Sequence, residues 1–147
     1  MERYKTFTVL MASITRSIRR IKSEEMQKWN LKSNHLSCLY YLYEKGTLTA
    51  KELCDICGED KANISRSIEY LLENGFLKYE SDTQKRYNNR LTLTEKGVDV
   101  GKGIYLRIEE ILQMSDDGLS CEQRDTMYMA LVMIDRNLQK INDEYRN

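Results

Sequence analysis

Between Leu48 and Gly75 the chain reads LTAKELCDICGEDKANISRSIEYLLENG, a stretch that leaves few choices of fold. Thr49 and Glu52 form a capping box: the threonine hydroxyl can accept from the Glu52 N–H while the glutamate reaches back to the threonine N–H. The helix so opened is short, because Gly58 is a stop signal. Asp60 can cap a second helix whose apolar face is Ile64, Ile68, Leu71 and Leu72, ended by Asn74-Gly75. Two short helices joined by a glycine-containing turn of three or four residues make a helix-turn-helix.

The flanks extend this unit on both sides. Residues 4–29 carry Phe7, Leu10, Ile14, Ile18 and Ile21 at intervals of three and four, one apolar stripe of a long helix. Ser33 reads as the N-cap of a helix to Lys45 that buries Leu36, Leu39 and Leu42 and stops at Gly46. After the helix-turn-helix, Phe76–Glu80 and Leu91–Leu93 look like short strands around the polar, turn-prone SDTQKRYNNR. That hairpin, carrying Lys85, Arg86 and Arg90, is a wing. Thr94 can cap a helix to about Asp117, and Ser120 with Gln123 is a second capping box. The final helix holds Met127, Leu131, Ile134, Leu138, Ile141 and Tyr145, a heptad-like seam that wants a partner helix.

The expected fold is therefore mainly α with a small two-stranded β wing: a winged helix-turn-helix between long N- and C-terminal dimerisation helices. A chain of 147 residues suits one domain, 1–147, with a DNA-binding lobe at 33–97 and dimerisation helices at 1–30 and 98–147. Absence of proline, with 41% apolar and 31% charged residues, agrees with a folded, largely helical chain. MERYKTFTVLMASITRSIRR lacks the apolar core and cleavage site of an export signal, so a cytoplasmic location is expected. No apolar run is long enough to span a bilayer.

Net charge is zero, which by itself counts against a polyanion binder, but its distribution is uneven. Lys61 to Arg90 holds six basic and four acidic residues, whereas Val98 to the end holds six basic and ten acidic. In a helix-turn-helix the second helix enters the major groove with its N-terminal residues against the bases. Those residues are Lys61, Ala62, Asn63, Ser65 and Arg66. Asn and Arg suit adenine and guanine, serine can donate or accept, and Ala62 permits close approach to a thymine methyl. Helix starts near Ser33 and Thr49 offer N–H groups to phosphate oxygens. Lys85, Arg86 and Arg90 can reach the minor groove. Dimerisation is assigned to Leu10, Ile14, Ile18, Leu131, Ile134, Leu138 and Ile141. A two-fold dimer requires a pseudo-palindromic double-stranded site.

LTAKELCDICGEDKANISRSIEYLLENGFLKYESD, followed by RLTLTEKG, resembles the MarR family of bacterial transcriptional regulators. The likeness covers nearly the whole chain and is most specific at Leu48-Thr49, Glu52-Leu53, Asp60–Arg66, Leu71 with Gly75, and Leu93–Gly97. It implies a winged-helix fold dimerised through its first, fifth and sixth helices. It also implies binding to inverted-repeat operators, usually as a repressor, with release by small phenolic ligands, oxidants or metals. The wing departs from the family's Asp-x-Arg-Asp-x-Arg pattern, Arg86 falling one residue off register. The family's effector pocket lies between dimer domain and DNA-binding lobe, which makes Trp29 and Tyr40 pocket candidates.

Three other readings compete. His35-x-x-Cys38 and Cys54-x-x-Cys57, fifteen residues apart, match a zinc-site spacing. Both pairs fall within helical patterns rather than glycine-bearing knuckles, and buried cysteine is a good small core residue, so no metal is assigned. A thiol oxidoreductase would open a helix with Cys-x-x-Cys, whereas Cys54 and Cys57 close one. With a single histidine no Ser/His/Asp set exists, no cofactor is called for, and the chain is not expected to be an enzyme. The remaining alternatives are a winged-helix module that binds only protein and a metal- or thiol-responsive form of the same regulator, with Cys121 beside the last helix cap.

Overall fold

A computed structural model describes residues 2–81 and 89–146. It falls into two compact units, Met1–Ile108 and Glu109–Asn147. In the first unit a π-helical turn, Lys5–Leu10, leads into α1, Met11–Gln27, which buries only Met26. A 3-10 turn, Ser33–His35, precedes α2, Leu36–Lys45. Then come β1 (Thr47–Thr49), α3 (Ala50–Cys57), α4 (Lys61–Glu73), β2 (Leu77–Tyr79) and β3 (Arg90–Leu93). Helix α5 spans Glu95–Ser115, the unit boundary falling within it, and α6 spans Cys121–Arg146. None of the described helices is long and apolar enough to cross a membrane.

The starts of α3, α4, α5 and α6 follow from local chemistry. Thr49 Oγ accepts from the Glu52 N–H at 3.1 Å and Glu52 returns a carboxylate to the Thr49 N–H at 2.8 Å. Ser120 and Gln123 repeat that box, and Thr94 accepts the Gly97 N–H at 3.0 Å. Asp60 caps α4. Gly58 closes α3 in the left-handed region at φ 61°, where glycine carries no Cβ penalty. Only Glu59 and Asp60 then separate it from α4.

Two expectations shift. Ser33 does not cap α2: it opens the 3-10 turn, and α2 begins only after His35. His35 takes the Lys32 N–H on Nδ1 at 3.1 Å, which caps the 3-10 turn. The wing strands also belong to a larger sheet. Its order is β1-β3-β2, all antiparallel, with Leu48 opposite Leu91 and Leu77 opposite Leu93. Strand β1 is the Thr-Leu-Thr before α3, three residues too few to show alternation.

The core of this unit gathers Leu39 and Leu42 of α2, Leu53 of α3, Ile64 and Leu71 of α4 and Leu91 of β3, all essentially inaccessible to solvent. Burial of each such side chain stabilises the fold by about 1.5–3 kcal/mol before entropy is counted. The apolar faces of α3 and α4 are thus turned inward, and what α4 shows to solvent is set by helical period alone.

The second unit is helical. Helix α6 buries none of its described residues: Leu131 and Ile134 are half-buried, Leu138 and Ile141 exposed.

Candidate nucleic-acid interface

On α4 the buried positions are Ile64, Ser67, Ile68 and Leu71. The remaining face begins with Lys61, Ala62, Ser65 and Arg66, all exposed, and half-buried Asn63. These are the residues the sequence pattern assigned to base contact, and the fold collects them on the first two turns of one helix.

That face is ordered by hydrogen bonds. Asp60 Oδ1 accepts the Asn63 N–H at 2.9 Å, and Asp60 Oδ2 accepts from Asn63 Nδ2 at 2.8 Å. Asn63 Oδ1 accepts from Arg66 Nη2 at 2.5 Å. Behind it, buried Ser67 ties α4 to the turn before α2. Asn34 Nδ2 donates to Ser67 Oγ at 3.0 Å, and the hydroxyl donates to the Asn34 carbonyl at 3.2 Å or the Asn63 carbonyl at 2.9 Å. His35 stacks on Tyr70 of α4 with ring centres 4.5 Å apart. Asn34 and Ser67 were not singled out from the sequence. The available signal was a serine placed in the apolar stripe three residues after Ile64, where a buried hydroxyl needs partners.

The other assigned contacts are distributed differently. Thr49 is half-buried and its hydroxyl serves the cap, so the capping box consumes the Thr49 and Glu52 N–H groups. The N–H groups of Ala50 and Lys51 are those an α-helix leaves without an internal acceptor. The Thr49 N–H holds the Glu52 carboxyl below the usual carboxylate range, and Arg90 adds to this. Ser33 is half-buried in its 3-10 turn. Lys85 and Arg86 lie outside the described residues. Arg90 is not on the wing tip but in β3, where Nη2 donates to the Thr47 carbonyl at 2.8 Å and stands 3.7 Å from Glu52. Its guanidinium joins β1, β3 and the α3 cap.

Trp29 borders a small cavity with Glu25, Met26, Leu36, Ile104, Arg107 and Ile108, of about 10 Å³. That is room for about one water molecule. Tyr40 instead stacks on Tyr105 at 5.1 Å and meets Tyr41 edge-on. Beside the Trp29 cavity, Glu25 accepts from Lys28 at 2.6 Å and from Arg107 at 3.2 Å, and both partners lower its pKa, Lys28 first.

The cysteines sit as core and surface groups. Cys38 is buried, and its interaction with the Cys57 thiol, followed by burial, pushes its own thiol well up. Cys54 is half-buried with its sulfur 3.8 Å from the Glu59 carbonyl, and Cys121 is exposed. His35, with Nδ1 taken by the Lys32 N–H and its ring against Tyr70, does not join them.

Residues 29–86 match the model of the MarR family. The uncharacterised HTH-type transcriptional regulator YfiV of Bacillus subtilis is 24% identical over 120 residues, 82% of this chain and 75% of YfiV. Among solved structures, a MarR family regulator from Listeria monocytogenes complexed with 26mer DNA is 23% identical. It superposes with a TM-score of 0.77 over 87% of this chain and 85% of its own. MepR of Staphylococcus aureus, solved as a DNA complex, is 18% identical with a TM-score of 0.78, over 92% of this chain and 98% of MepR. At these identities the structural likeness speaks for the winged-helix fold.

Proposed function

We propose that this chain, whose residues 29–86 match the MarR family model, is a MarR-type regulator binding a pseudo-palindromic operator as a homodimer. It is a transcriptional regulator rather than an enzyme. We further assign it a repressor's action in the cytoplasm, occupation of the operator excluding other proteins from the same DNA.

One observation carries the reading. Helix α4 is anchored by Ile64, Ser67, Ile68 and Leu71 while its first turns present Lys61, Ala62, Ser65 and Arg66 to solvent. A helix held on one face and edged with two cations and small polar groups on the other has the shape and chemistry to enter a major groove. Two solved structures of the same fold are complexes with DNA, which supports DNA as the partner of this chain.

The test is binding to duplexes selected from a randomised library, measured against salt. Arg66→Ala should cost about 1–3 kcal/mol on the selected site and relax discrimination at one base pair of each half-site. Lys61→Ala, removing a charge suited to phosphate, should weaken all duplexes alike and flatten the salt slope by roughly one unit. If both variants bind as the wild type does, α4 is not the inserted helix and a protein-only role takes precedence.

A further inference from the structure

The start of α4 contains a hydrogen-bond relay with a fixed polarity. An ionised Asp60 carboxylate can only accept, so the atom of Asn63 that faces Oδ2 must be Nδ2. That turns Oδ1 of the same amide toward Arg66, whose guanidinium can only donate. The amide orientation, elsewhere a matter of choice between two flips, is dictated here from both ends. Both halves of the Asn63 amide are therefore in use. Each half keeps a second hydrogen-bonding position, so any contact of Asn63 to a base is made in the amide posture that Asp60 and Arg66 fix. Arg66 spends a single N–H on Asn63 and keeps its other donors, and guanine O6 and N7 require two.

We propose that Asp60, acting through Asn63, holds Arg66 in the posture that reads a guanine, so that Asp60 is a positioning residue for sequence specificity. This rests on the major-groove role of α4. Arginine has much rotamer freedom to lose when it is immobilised, and a restraint already present in the free protein lowers that loss on binding. A carboxylate on the DNA-facing turn repels phosphate, so its presence there works against affinity. Capping α4 does not require the charge, since asparagine and serine cap equally well.

The opposed effects on affinity and specificity give the test. Full-length wild type, D60N, N63A and R66A are each used to select from duplexes with a randomised core. Each is then titrated on the selected duplex, on its single-base variants and on an unselected duplex. The wild type should enrich one guanine per half-site, preferred by roughly five- to a hundredfold, and R66A should lose that preference. In D60N the cap survives, but either flip of Asn63 sets a donor against a donor. Guanine discrimination should fall several-fold while the melting temperature holds and the unselected duplex is bound as tightly or slightly tighter. N63A should reproduce that loss of guanine discrimination. A D60N protein that discriminates like the wild type overturns the proposal, as does an N63A protein that loses an adenine preference and keeps the guanine. In either case R66A still reports on groove insertion, so the broader reading stands or falls separately. A wild type that enriches no sequence overturns both.

Discussion

His35 is the chain's single histidine, the residue type whose ordinary pKa lies nearest neutral, and its surroundings oppose the proton. Burial between the 3-10 turn and Tyr70 lowers its pKa below the ordinary 6.5, and the charge of Lys32 adds to this. Protonation would also set an Nδ1–H against the Lys32 N–H that it now accepts. Between about 6.5 and the lower native value the unfolded chain binds more protons than the folded one. This stabilisation is complete above about 6.5 and is lost as pH falls through the native pKa. Glu25 and Glu52, both shifted down from 4.5, act in a separate window: their contribution is present above about 4.5 and lost below it. Urea midpoints should therefore begin to fall below about pH 6.5, and His35→Gln should remove that upper limb while keeping the acid one. A wild-type midpoint unchanged between about pH 7 and 5 would contradict the assignment. At this scale the sequence was readable for residue type and face, as at Lys61 and Arg66. It was not readable for intramolecular partner: no local spacing announced that the Arg90 guanidinium lies on Thr47 and beside Glu52, across the sheet.

Helical elements were the most legible, because caps and stops are chemistry within four residues. Both capping boxes, the Asp60 cap and the Gly58 stop occur where the pattern put them. Strand β1 was missed because a three-residue strand is defined by its neighbour's hydrogen bonds rather than by its own period. The packing of α5 was also out of reach. A Cβ at Gly97 would stand 2.0 Å from the Phe76 carbonyl oxygen and 3.2 Å from Leu93 Cδ2. In an open helix Gly→Ala gains roughly 0.5–1 kcal/mol from reduced chain entropy. Here the obstructing atom is backbone and cannot rotate aside, so the sign should reverse. Gly97→Ala should destabilise by about 1–3 kcal/mol, read as a lower urea midpoint. A neutral or stabilised variant would show that α5 and the Phe76 turn part without cost.

For the molecule as a whole, the unburied apolar stripes are the leading fact. Leu10, Ile14 and Ile18 in the N-terminal helical segments, and Leu138 and Ile141 on α6, are each at least two-fifths exposed in the single chain. A helix of 26 residues with no fully buried side chain gains little from propensity alone and is stabilised chiefly by packing. We expect a second copy to cover both stripes, giving an obligate or very tight homodimer whose monomer is not stably folded. Sedimentation should find dimer at micromolar concentration, with unfolding that shifts with protein concentration. A folded monomer there would refute it, and would also remove the two-fold axis from which a palindromic site was argued.

What the sequence determined by itself was the set of local events: where helices start and stop, which face of each is apolar, and which side chains stand on the first turns of α4. These depend on hydrogen bonds and periods that close within a turn or two, so residue order encodes them directly. Tertiary structure decided the rest. The Asn34–Ser67 bonds, the Arg90–Thr47 bond and the Gly97–Phe76 approach join residues 33, 43 and 21 positions apart. Such pairs exist only once the core has closed and the backbone has brought them within bonding distance, and no local spacing announces them.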